Sequence, residues 1–213
     1  MVFSVVGAVL ASISMSACEP QVGIYQAAIP WRRSVALGLP YTRGRLRAGV
    51  QLPAEGLHHV THDPALNLAP NRHWRRWGTD RIVRMVLCVA EEYRTEDPDR
   101  PRVVIGDLSR PNGGPFGRRF GGLGHSSHQN GLDVDVYYPR WDGRETAPVD
   151  AGDIDLERSQ ELVDRFVAAG ATVIYVGPNT GLTNPTRRRV VRVLRNHDDH
   201  MHVRIARRAP GGR

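Results

Sequence analysis

Two short segments constrain this chain more than any other feature, because each alternates apolar and ionisable residues with the period of a β-strand. The first reads Gly124-His125-Ser126-Ser127-His128-Gln129-Asn130-Gly131-Leu132-Asp133-Val134-Asp135, and the second His197-Asp198-Asp199-His200-Met201-His202-Val203. Successive side chains of an extended segment point to opposite faces. Leu132, Val134 and Val136 therefore face a core, while Asp133 and Asp135 face the other side. In the second segment Met201 and Val203 point inward, and His200 and His202 share the opposite face. If the two strands are neighbours, two carboxylates and two imidazoles meet on one surface. His128 reaches the same place from the preceding turn, which Gly131 allows to bend.

That set has the composition of a catalytic zinc site, where three ligands drawn from His, Asp or Glu leave one position for water. His128, Asp135 and His202 supply two nitrogens and one oxygen. The pKa of a water held there falls to roughly 7, which makes it a nucleophile near neutrality. His200, on the same face as His202, is placed to take the proton of that water as general base. Asp133 is expected to orient a ligand histidine rather than to bind the metal itself. Ser126 and Ser127 are read as loop hydrogen-bonders, not nucleophiles. His58, His59, His62 and His73 lie outside both clusters and are read as surface residues.

The rest of the chain supplies a frame. Thr79 reads as the N-cap of a helix over residues 79–93, with an apolar stripe of Ile82, Val83, Val86, Leu87 and Ala90. Leu156 to Gly170 reads as a second amphipathic helix ended by its glycine. Residues 102–107, 131–138, 171–176 and 201–206 read as short strands, and Asn184-Pro185 as the start of a further helix to about Arg195. Residues 41–71 are expected to wrap the domain. The expected architecture is α+β: a small antiparallel sheet carrying the zinc site, flanked by helices. The domain is expected over 37–207, with an irregular arm at 18–36 and a disordered tail at 208–213.

The stretches GHSSHQNGLDVD and HDDHMHVR closely resemble the penicillin-insensitive murein endopeptidases. These belong to a wider group of zinc peptidases that includes lysostaphin-type enzymes, D-alanyl-D-alanine peptidases and the hedgehog signalling domain. The shared pattern is Ser-x-His, a glycine, an Asp and a later His-x-His, here Ser126-Ser127-His128, Gly131, Asp135 and His200-Met201-His202. Gly106-Asp107, the run from Pro111 to Phe116, and Arg45 to Pro53 also look like family segments, so the resemblance covers about residues 37–207. It implies a hedgehog/D-Ala-D-Ala peptidase-like fold, with zinc on His128, Asp135 and His202 and His200 as the catalytic histidine. It further implies that His125 approaches this metal or a second one, and that His197 is catalytic by binding substrate or tuning His200. The implied substrate is peptidoglycan, cut between D-alanine and the diamino acid of a neighbouring stem. The same ligands would serve a D,D-carboxypeptidase or dipeptidase, for which Arg110, Arg118 or Arg119 could pair with a terminal carboxylate.

Charge narrows the partners. The formal net charge is +7, and all 29 basic residues are arginine. Lysine chemistry, whether a Schiff base or a phosphate-binding loop, is thereby excluded. Residues 133–164 hold ten acids and three arginines, a net of −7, which leaves +14 elsewhere. The basic body suits an anionic cell-envelope surface. Asp142, Glu145 and Asp150 in the acidic window are expected to dock a cationic amine of the substrate. Arg187, Arg188, Arg189, Arg192 and Arg195 fall on the expected further helix, where Arg188, Arg192 and Arg195 would share a face. This leaves a basic nucleic-acid-binding protein as a remote alternative; no nucleic-acid module accompanies it, and none is expected as a partner.

Residues 1–17 carry no charge and read as an export signal, too short for a comfortable membrane span. Met15-Ser16-Ala17-Cys18 resembles a lipobox, so the protein is expected in the periplasm or cell envelope, anchored through a lipid on Cys18. Cys88, among Val86, Leu87 and Val89, reads as a buried inert thiol.

Overall fold

The computed structural model describes residues 29–63, 65–117 and 126–207. Helix α1 spans Asp80–Glu96 and helix α2 Leu156–Ala168. The strands are β1 (Val35–Leu37), β2 (Arg45–Arg47), β3 (Val50–Gln51), β4 (His59–Thr61), β5 (Trp77–Gly78), β6 (Val103–Ile105), β7 (Asp133–Tyr137), β8 (Ala171–Val176), β9 (Val191–Val193) and β10 (His200–Ile205). Two strand pairs, β1-β2 and β3-β5, stand apart from a sheet of six in the order β4-β6-β7-β10-β8-β9.

Both helices begin as their sequences specify. The Thr79 hydroxyl accepts from the Ile82 amide at 3.4 Å, and the Asp155 carboxylate accepts from the Arg158 amide at 3.0 Å. Gly170, at φ +97°, takes the left-handed conformation just past the end of α2. The apolar stripe of α1 is buried with Leu162, Val163 and Phe166 of α2 and Val134, Val136, Ile174, Met201 and Val203 of the sheet. Each such side chain contributes about 1.5–3 kcal/mol by leaving water. Arg165 of α2 pairs with Glu96 across on α1 and with Glu161 one turn back on its own helix.

The sheet is mixed rather than antiparallel. β7 lies between β6 and β10, and β10 beside β8, all antiparallel; the outer pairs β4-β6 and β8-β9 are parallel. The expected helix from 184 to 195 is absent, and β9 stands in its place. Val190, Val191 and Val193 favour strand. The neighbouring arginines would stack like charges one turn apart on a helix. The Asn184 side chain accepts from the Val191 amide at 2.7 Å and donates to its carbonyl at 2.9 Å, filling the outer edge of β9. Arg188, Arg192 and Arg195 therefore share no helical face, which removes the structural basis for the nucleic-acid alternative.

The boundary expected at residue 37 falls inside β1. Ile29 and Ala36 are buried in the core, and the Arg32 guanidinium donates to the Gly49 carbonyl at 2.8 Å, so residues 29–36 pack as part of the domain. The segment 41–71 supplies β2, β3 and β4. His59 and His62 are buried rather than at the surface, His62 edge-on to Tyr137 at 5.4 Å. Cys88 is not a free thiol: it is disulfide-bonded. Residues 1–17, expected to be an export signal, and Cys18, His125, Arg118, Arg119 and the tail 208–213 lie outside the described residues. Among the described residues no helix is long and apolar enough to cross a membrane.

Candidate metal centre

The register of the two central strands assembles the site. His202 stands opposite Asp135, Arg204 opposite Asp133, and His200 opposite Tyr137. Val134, Val136, Met201 and Val203 point into the core, so the ionisable residues all emerge on the other face. Gly131, at φ +72°, turns the chain into β7; a Cβ there would meet Leu46 and the Thr79 amide. This turn brings His128 over the same face.

Three atoms converge there. His128 Nε2 lies 3.2 Å from His202 Nδ1 and 3.2 Å from Asp135 Oδ1, and His202 Nδ1 lies 3.0 Å from Asp135 Oδ1. All three residues are buried. Each imidazole is held from behind. His128 Nδ1–H donates to the Leu108 carbonyl at 2.7 Å, and His202 Nε2–H donates to Asp133 Oδ1 at 2.9 Å with Ser127 Oγ at 3.2 Å. With those protons placed, the inward-facing nitrogens present lone pairs to each other and to a carboxylate oxygen. Such a triangle needs a cation at its centre, either a proton or a metal.

The electrostatics say the same. Burial disfavours the charge on His202, but Asp133 and Asp135 outweigh it and push its pKa up to about 9. Burial would raise the Asp135 pKa, yet His128, His202 and His200 hold it well below the usual carboxylate range. A tetrahedral zinc with ligands at about 2.0–2.2 Å spaces them about 3.3–3.6 Å apart. The triangle fits this after opening by a few tenths of an ångström. One carboxylate and two neutral imidazoles form a donor set that zinc accepts.

Asp133 accepts from His202, and Arg204 holds it in turn, Nη1 donating to Oδ1 at 2.8 Å and Oδ2 at 3.0 Å. His200 Nδ1–H donates to Asp199 Oδ1 at 2.7 Å, which leaves Nε2 facing the site, 3.9 Å from Asp135 Oδ1. Burial lowers the His200 pKa, but Asp199 and Asp135 together raise it above its ordinary value. His197 stacks on His200 with centroids 4.8 Å apart, and its Nδ1–H donates to the Arg195 carbonyl at 2.9 Å. Burial lowers the His197 pKa. Asp198 turns away and takes the Asn179 amides at 3.0 and 2.8 Å.

Sequence reasoning missed the buried pair beneath the ligands. Arg75 Nε donates to Asp107 Oδ1 at 2.6 Å, and Asn71 Nδ2 donates to the same oxygen at 2.9 Å. The Asp107 carbonyl accepts from the Asp135 amide at 2.9 Å, and the next carbonyl, Leu108, is the one that holds His128. The Gly106-Asp107 dipeptide was a visible signal; nothing in the local sequence marks Arg75. The acidic window behaves differently from expectation. Asp142 and Asp153 pair with Arg140, Glu145 with Arg102, and Asp150 accepts from the Gly152 amide. Three of these carboxylates are bound to arginines within the fold and the fourth caps a turn, which argues against their docking a substrate amine. Arg110, one of the candidate carboxylate partners, donates to the Pro115 carbonyl at 2.8 Å.

Residues 36–164 match the family model described as penicillin-insensitive murein endopeptidase. This chain belongs to that family. A penicillin-insensitive murein endopeptidase of Yersinia enterocolitica is 32% identical over 206 residues, 84% of this chain and 71% of the relative. Those of Klebsiella pneumoniae subsp. pneumoniae and Yersinia pestis are 27% and 26% identical, covering 87% and 84% of this chain and 73% and 71% of the relatives. The family match takes in His128 and Asp135, two of the three residues of the buried cluster that could hold a metal ion.

Proposed function

We propose that the chain is a zinc-dependent murein DD-endopeptidase that hydrolyses the D-alanyl–diamino acid amide of peptidoglycan cross-links. The observation that carries this is the buried triangle of His128 Nε2, Asp135 Oδ1 and His202 Nδ1 with His200 Nε2 at its rim. Zinc, when bound, supplies a Lewis acid that makes water nucleophilic near neutrality and polarises the scissile carbonyl. The chain's own residues do the remainder. His200 accepts a proton from the attacking water at Nε2, while Asp199 holds its tautomer and stabilises the resulting cation. The proton then passes to the departing amine, so one water and one amide become a carboxylate and an amine. His197, stacked on His200, keeps that ring oriented. His125 is assigned to this metal or a second one on the strength of the family resemblance.

Peptidoglycan as substrate places the chain in the cell envelope, with residues 1–17 as export signal and the arginine-rich body drawn to anionic polymers. A disulfide at Cys88 suits such an oxidising compartment. Cys18 is the chain's other cysteine, and a thiol cannot serve both as lipid carrier and as disulfide partner. Intact mass before and after reduction separates the two uses.

The test is digestion of cross-linked muropeptide dimers. Conversion to monomers, abolished by a chelator, restored by zinc and indifferent to β-lactams, is expected. Release of terminal D-alanine alone would replace this reading with the D,D-carboxypeptidase one.

A further inference from the structure

The sheet register carries the site further than the metal ligands. His202 stands opposite Asp135 on one side and opposite Tyr175 on the other, and Tyr175 stands opposite Arg192 on β9. Side chains at paired positions emerge on the same face of a sheet. Asp135, His202, Tyr175 and Arg192 therefore form one transverse row, a strand apart at each step. At about 4.8 Å per strand, Arg192 sits on the order of 10 Å from His202, within reach of a guanidinium on its long stem.

Burial confirms the face. Ile174, Val176 and Val191 are buried in the core, whereas Tyr175 is half-buried and Arg192 exposed. The Tyr175 ring lies 5.8 Å from His202 and 6.1 Å from His197, so it floors the gap between the metal ligands and the arginine. Among the described residues no hydrogen bond or ion pair engages the Arg192 side chain. The contrast with its neighbours on this face is plain: Arg204 is spent on Asp133, and Arg75 on Asp107. The strand that bears Arg192 is also fixed. Asn184 occupies the outward amide and carbonyl of Val191, which blocks a peptide from adding to β9 there and leaves the side chain as the means of recognition.

We propose that Arg192 is the substrate-carboxylate clamp of this site. It binds a carboxylate one or two residues from the scissile amide and so fixes which way the cross-link lies across Tyr175. At about 3.3–3.6 Å per extended residue, a carboxylate at that separation spans the distance from the metal cluster to the guanidinium. Arginine rather than another cation suits the task, because its planar fork takes both oxygens of a carboxylate. This inference rests on the endopeptidase reading above.

The test compares two cross-linked muropeptide dimers, one with free carboxylates beside the scissile amide and one with those groups converted to carboxamides. The zinc-loaded wild type is expected to prefer the acid by on the order of 10- to 100-fold in kcat/KM. Arg192→Gln is expected to lose that preference through a raised KM for the acid, with zinc content and the amide's kinetics unchanged. Arg192→Lys should regain part of it, and Arg189→Gln, an equal change of net charge on an exposed neighbour, should retain it. No cleavage of either dimer by the wild type would overturn the endopeptidase reading, and the clamp with it. Cleavage of both with equal efficiency, a preference that survives in Arg192→Gln, or an equal loss in Arg189→Gln would overturn the clamp alone.

Discussion

Asp133 is the residue whose removal best separates metal binding from folding. It touches no ligand atom in the triangle, yet it holds His202 through Nε2–H at 2.9 Å and is itself held by Arg204. In Asp133→Asn one oxygen remains to accept a bond, the charge is gone, and the amide NH2 confronts either the Arg204 donors or the His202 N–H. The lost charge-assisted bond is worth about 1.5–3 kcal/mol. Losses of outer hydrogen-bond partners typically weaken metal binding 10- to 100-fold, or about 1.4–2.7 kcal/mol, and the two scales agree. Competition titration with a chromophoric chelator should therefore show zinc dissociation weakened by one to two decades. Arg204→Met, which removes the holder of Asp133 but leaves its charge, should weaken zinc less. Urea unfolding of the metal-free proteins gives the control. If zinc affinity stays within twofold while metal-free stability falls, Asp133 serves only to bury Arg204 and the orienting argument is refuted.

His200→Ala should keep zinc and lose activity by about 10²–10⁴-fold, whereas His128→Ala should lose both; zinc analysis beside a dimer digest checks this. Arg75→Met leaves the Asp107 carboxylate buried without its guanidinium, though still bonded to Asn71, and should destabilise the fold by about 3–5 kcal/mol in urea titrations. Burial would raise the Asp63 pKa, but Arg72, Arg75 and the Leu66 amide outweigh it and lower it. A depressed carboxylate stabilises the fold above its unfolded pKa of about 3.9, and that stability is lost as pH falls through the lower folded value. Asp63→Asn should accordingly flatten the stability curve below about pH 4 while leaving its shape near neutrality unchanged.

The candidate metal cluster was legible because its signal is local. Period-two alternation puts Asp133 and Asp135, or His200 and His202, on one face whatever the partners of their strands, and Thr79, Asp155 and Gly170 end helices through bonds within a few residues. The misread segment, 184–195, failed for the opposite reason. Its arginines and valines fit either period weakly, and what decides for strand is Asn184 clasping Val191 and β8 offering its edge, contacts that exist only in the folded chain. Likewise the sequence shows ten acids between 133 and 164 but not that Asp142, Glu145 and Asp153 are already paired with arginines.

Sequence alone determined which side chains of the candidate cluster share a face of their strand, because strand periodicity is built into the backbone. Tertiary structure decided what stands beside them. Register across three strands placed Tyr175 and Arg192 in line with His202, and the Arg75–Asp107 pair behind His128 and Asp135. Pairing between distant strands is set by the summed packing of a core, and no single segment encodes it.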